Sequence, residues 1–138
     1  FNFDKDLEKL VPQGLLFNAI NSDLKSFREA GGKILMWHGS VDPLVLPNQS
    51  ITYYETLKAR MGLSNLQKFY RLYMVPGMGH CWEIPSALPD QMDLLKVLSL
   101  WVEEGIQPNI IPIKQNSSSD VMVKEGTLKP YPQLATYN

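Results

Sequence analysis

Lys33-Ile34-Leu35-Met36-Trp37-His38-Gly39-Ser40-Val41-Asp42-Pro43 and Phe69-Tyr70-Arg71-Leu72-Tyr73-Met74-Val75-Pro76-Gly77-Met78-Gly79-His80-Cys81 follow one plan. Each opens as a short, nearly continuous apolar run and closes in a turn containing glycine and proline. Runs of this kind suit strands of a parallel sheet buried on both faces. An aspartate follows the first run and a histidine the second. In open parallel sheets functional groups collect at the carboxyl ends of the strands. Neighbouring strands would therefore bring Asp42 and His80 to one edge.

Outward from these runs, residues 15–30 read as a helix ended by Gly31-Gly32. Asn21-Ser22-Asp23 is a point of interruption, with Asp23 able to cap a shorter second helix. The first strand is expected over residues 33–37, followed by a loop over 38–48. An amphipathic helix is expected over 49–61 and stops at Gly62. The second strand spans 69–75 and a long loop 76–89. Asp90 is expected to cap a helix running to about Glu104, with Met92, Leu95, Val97, Leu98 and Trp101 on its apolar side. Beyond Pro108 the periodicity fades. Ile110-Ile111-Pro112-Ile113 suggests a short strand, and residues 113–138 read as an extended tail.

The alternation of helix and strand implies right-handed crossovers and a parallel sheet flanked by helices. Two core strands are too few for such a sheet. Residues 1–138 are therefore expected to form the C-terminal segment of an α/β sheet whose first strands lie elsewhere. The absence of an initiator Met points the same way.

Composition is ordinary for a globular chain: 138 residues, 44% hydrophobic, 20% charged, formal net charge -1. That balance gives no reason to expect nucleic acid or an anionic membrane as partner. No apolar stretch approaches the length of a membrane span. Phe1-Asn2-Phe3-Asp4-Lys5-Asp6 has neither the basic nor the apolar region of a signal peptide. The single cysteine, Cys81, cannot form an internal disulfide. Asn48-Gln49-Ser50 and Asn116-Ser117-Ser118 fit the glycosylation triplet, which leans weakly towards a secreted protein.

The candidate chemistry rests on Asp42 and His80. A carboxylate at a strand end can accept the Nδ1–H of an imidazole, fix its tautomer and stabilise the imidazolium formed when Nε2 takes a proton. The order acid before histidine matches α/β-hydrolases, in which the nucleophile comes first. Blander readings stand beside this one. Asp42 before Pro43 is also a turn former, and His80 could be a hydrogen-bonded loop residue. His38 reads as structural, packing beneath the acid loop. Two histidines in separate loops form no recognisable metal-ligand set. No G-x-S-x-G occurs, and neither Ser40 nor residues 117–119 have the strand–turn–helix setting of a nucleophile elbow. The nucleophile comes from another segment, or there is none.

These residues resemble the C-terminal part of the tannase and feruloyl esterase family. The match runs through Asp23-Leu24, Phe27, Gly31-Gly32-Lys33, His38-Gly39, Asp42-Pro43-Leu44, Pro47, Tyr53-Tyr54 and Phe69-Tyr70-Arg71 to Met74-Val75-Pro76-Gly77-Met78-Gly79-His80-Cys81. Trp101-Val102-Glu103, Gly105, Pro108 and Pro130-Tyr131-Pro132 continue it. The resemblance implies an α/β-hydrolase with an inserted lid, hydrolysing esters through Ser, Asp and His. By position it makes Asp42 the acid and His80 the base. It makes Cys81 the disulfide partner of a cysteine preceding the nucleophile, on a segment outside this chain. It implies no cofactor or metal in this segment, with calcium confined to the lid.

Two departures stand out. Trp82-Glu83-Ile84 replace the glycines common after the His-Cys pair, and Lys129 stands where many members have a cysteine. The expected protein is a secreted or periplasmic esterase of phenolic acids: feruloyl, other hydroxycinnamoyl or galloyl esters, with a terephthalate monoester as a related substrate. Its partners are the N-terminal segment bearing the serine and the small ester itself. The rival readings are an α/β-hydrolase of another family, peptidase or dienelactone-hydrolase-like, and a non-catalytic fragment or module.

Overall fold

The computed structural model describes residues 1–80, 91–114 and 125–137. Cys81, residues 82–84, Asp90 and the triplet at 116–118 lie outside the described residues.

Strands β1 (Ile34–Gly39) and β2 (Tyr70–Val75) pair in parallel, with Ile34 opposite Tyr70 and Gly39 opposite Val75. The connection between them carries α3 (Pro47–Met61) and the single turn α4 (Leu63–Leu66). This is the strand–helix–strand unit that parallel pairing requires. β1 continues two residues past the expected end, so His38 and Gly39 belong to the strand. α3 begins two residues early because Pro47, lacking an N–H, fits the first helical turn. It ends at Gly62, whose φ of 77° is left-handed backbone that favours glycine.

β2 is buried on both faces. Tyr70 and Leu72 point towards Tyr54, Leu57, Leu66 and Phe69. Tyr73 and Val75 point the other way, onto Met78, Ile111, Ile113 and Leu128. Successive residues of a strand alternate faces, so an unbroken apolar run serves two cores. The second core lies under α5 (Leu94–Glu103) and a three-stranded antiparallel sheet.

That sheet corrects the reading of residues 113–138 as an extended tail. β3 (Ile111–Lys114), β4 (Glu125–Leu128) and β5 (Thr136–Tyr137) pair in order, with Ile111 opposite Leu128. β3 buries only alternate residues, leaving Pro112 on the exposed face of an edge strand, where a missing N–H costs little.

Two helix expectations also change. α5 starts at Leu94, and Asp93 caps it by accepting the Lys96 N–H at 3.0 Å. The stretch 15–30 is not one helix. α1 (Val11–Phe17) follows a 3-10 turn at Leu7–Leu10, and α2 (Lys25–Glu29) follows a gap at 18–24. Asn21 and Asp23 use their side chains to bond nearby backbone N–H groups there, and that competes with helix.

Candidate active site

The carboxyl ends of β1 and β2 lie side by side, so the turns that follow them meet. Ser40 donates its N–H to the Val75 carbonyl at 2.9 Å, and Val41 donates to the Met78 carbonyl at 3.0 Å. In return Gly77 donates its N–H to Ser40 Oγ at 3.0 Å. The approach is close enough to require glycine at 39: a Cβ there would lie 2.3 Å from the Met78 carbonyl oxygen.

Asp42 projects from the first turn and is 7% exposed. Its Oδ1 accepts the N–H groups of Leu44 at 2.8 Å and Val45 at 2.9 Å. This is the turn-forming habit of aspartate, here applied to aim the second oxygen. Oδ2 faces His80 Nδ1 at 2.9 Å. Burial pushes the Asp42 carboxyl up. The Val45 N–H, the His80 ring and the Leu44 N–H outweigh it and hold the group down at about 2. Asp42 is therefore anionic at neutral pH.

An anionic acceptor at Nδ1 places the ring proton there and leaves the Nε2 lone pair free. His80 is 34% exposed, and among the described residues no group bonds Nε2. The turn and charge-acceptor roles of Asp42, weighed above as alternatives, coexist in one side chain.

His38 lies behind the carboxylate, 9% exposed. Its Nδ1 is 2.7 Å from Ser50 Oγ, and its Nε2 is 2.9 Å from the Val45 carbonyl oxygen. Asp42 Oδ2 is 3.5 Å from the same Nε2. The sequence reading placed His38 beneath the acid loop but missed Ser50 and the N–H groups of Leu44 and Val45. The helical spacing of Ser50, Tyr54 and Leu57 was the available signal for Ser50, since all three lie on the buried face of α3.

The described serines near the site are engaged elsewhere: Ser40 with Gly77 and Ser50 with His38. Among the described residues no group of three or more His, Cys, Asp or Glu side chains could hold a metal ion. Among the described residues no helix is long and apolar enough to cross a membrane.

A parallel pair ending in a bonded Asp–His couple, covered by helices, is part of an α/β-hydrolase fold. The chain belongs to the tannase and feruloyl esterase family, whose model matches residues 2–138. An uncharacterized esterase of Xanthomonas campestris is 33% identical over 99% of this chain and 30% of its own length. A mono(2-hydroxyethyl) terephthalate hydrolase of Piscinibacter sakaiensis is 37% identical over 86% of this chain and 19% of its own. The crystal structure of feruloyl esterase B from Aspergillus oryzae superposes with a TM-score of 0.70 at 31% identity, covering 81% of this chain and 25% of that one. The chain thus spans less than a third of the length of each of these relatives.

Proposed function

We propose that this chain supplies the acid and base of a serine esterase that hydrolyses esters of phenolic acids. The observation that carries the proposal is the 2.9 Å bond from His80 Nδ1 to Asp42 Oδ2, with no described residue bonded to Nε2. The serine comes from the polypeptide outside this chain. His80 Nε2 takes the serine proton as Oγ attacks the ester carbonyl. The imidazolium returns that proton to the departing alcohol, leaving an acyl-serine. His80 then deprotonates water, which attacks the acyl carbon and releases the aromatic acid and free serine. Asp42 stabilises the imidazolium at both stages.

Family membership supports ester hydrolysis, and the feruloyl and terephthalate activities named for the relatives support an aromatic acyl group. Three further readings belong to the same proposal. Cys81 pairs with a cysteine before the nucleophile, a strap that would restrain the spacing of serine and base. Calcium belongs to an inserted lid, and this chain supplies no cofactor ligand. The protein works outside the cytoplasm, where such a disulfide persists.

The test uses the polypeptide that carries both this segment and its nucleophile. Asp42→Asn keeps an oxygen for the Leu44 and Val45 N–H groups but turns an amide donor towards His80 Nδ1, which forces the wrong tautomer. Turnover of a feruloyl ester should fall on the order of ten-thousand-fold, with the fold retained. Near-normal turnover sinks the assignment. Cleavage of peptides in preference to phenolic esters would favour the peptidase-like reading. For the strap, intact mass with and without reductant decides: a free Cys81 thiol in the native protein removes it.

A further inference from the structure

We propose that His38, held by Ser50, is the positioning residue of the Asp42–His80 couple. The inference rests on the catalytic reading above and extends it to a second imidazole. The Val45 carbonyl can only accept, so the His38 Nε2, 2.9 Å away, carries a proton. In the neutral ring Nδ1 is then the acceptor, and Ser50 donates its O–H to it at 2.7 Å. The ring is thereby fixed in one tautomer and one orientation, between α3 and the acid turn.

Val45 is the hinge of this arrangement. Its carbonyl accepts from His38 while its N–H donates to Asp42 Oδ1 at 2.9 Å. His38 therefore holds the 45–46 peptide, which shares the Val45 Cα with the 44–45 peptide whose N–H holds one carboxylate oxygen. The same Nε2 atom lies 3.5 Å from the other oxygen, the one His80 uses. Two imidazoles thus flank Oδ2, one from the interior and one from the open side. Ser50, 6% exposed, completes a relay from α3 through His38 to the acid turn. A couple aimed by a chain of buried and part-buried bonds is sensitive to loss of any link, because a misplacement of about 1 Å can cost about a hundredfold in rate.

The experiment compares His38→Leu, His38→Gln and Ser50→Ala in the same full polypeptide, with Asp42→Asn as reference, on a feruloyl ester. His38→Leu removes both ring nitrogens. It should lower kcat by about tenfold to a hundredfold while KM stays within about twofold, since Asp42 does not bind the ester. Glutamine can place its Nε2 near that of the ring and donate to the Val45 carbonyl. His38→Gln should therefore recover most of the lost kcat. Ser50→Ala, which keeps the ring but frees it to turn, should lose kcat to a smaller extent.

A folded His38→Leu with kcat within twofold of the wild type overturns the proposal. So does a folded His38→Gln as impaired as His38→Leu. If His38→Leu does not fold, Ser50→Ala decides, and unchanged kcat there overturns it. Asp42→Asn separates the two levels of inference. If it stays active the catalytic reading fails. If it is inactive while the His38 variants are normal, only the positioning role fails.

Discussion

Asp42 does two jobs with two oxygens, and its acidity records both. Oδ1 closes the turn on Leu44 and Val45, while Oδ2 takes the imidazole. Its folded pKa of about 2 lies below the ordinary 3.8, so the folded state binds this proton less readily than the unfolded chain does. The sign of the pH dependence follows from linkage. The stability owed to this carboxylate is complete above about pH 4 and is lost as pH falls from there through about 2. Denaturant titrations of the wild type and Asp42→Asn between pH 2 and 6 should show a stability gap that narrows as the carboxyl protonates. A gap of constant size across that range would mean that the carboxylate gains nothing from its partners in the folded state.

At the scale of elements, the site depends on how tightly the end of β1 lies against the histidine turn. Gly39 is the contact point, and any side chain there would press on the Met78 carbonyl at 2.3 Å. Backbone cannot swing aside as a side-chain tip can, so Gly39→Ala must displace one turn from the other. Overpacking of this kind typically costs about 1–3 kcal/mol. Because the moved turn carries His80, turnover should drop along with the melting temperature, and restoring stability with a compensating mutation elsewhere should not restore turnover. A stable and fully active Gly39→Ala would show that the turns yield without parting Asp42 from His80. This closeness explains what the sequence made legible and what it hid. β1 and β2 could be read because apolar residues fill both faces, and strand ends locate Asp42 and His80 without further detail. The bonds that orient them run between side chains and turn backbone: Ser40 to Gly77, His38 to Val45, Ser50 to His38. Such bonds leave no periodicity. The run at 110–113 suggests β3, but its partners β4 and β5 were hidden for another reason. Those two strands are only four and two residues long, too short for alternation to stand out.

At the scale of the molecule, the N-terminal stretch and β1 carry apolar side chains that no described residue fully buries. Phe1, Phe3, Leu15, Leu16, Phe17 and Ile20 are each more than 70% exposed, and α1 buries no residue. β1 is half-buried along residues 34–37, and its second edge has no strand beside it among the described residues. Large apolar side chains exposed in such number point to an interaction face, and an open strand edge is a template for pairing. Relatives three to five times longer supply a natural candidate for the cover, the segment proposed above to bring the serine. The 138-residue chain produced alone should therefore bind a hydrophobic dye such as ANS strongly and associate with itself in sedimentation. In the full polypeptide the amides of residues 34–37 should gain protection against hydrogen exchange, while those of β2, already paired and buried, should change less. A chain that stays monomeric, binds no dye and already protects β1 would stand as a module of its own. The serine would then have to reach His80 across an interface other than the β1 edge.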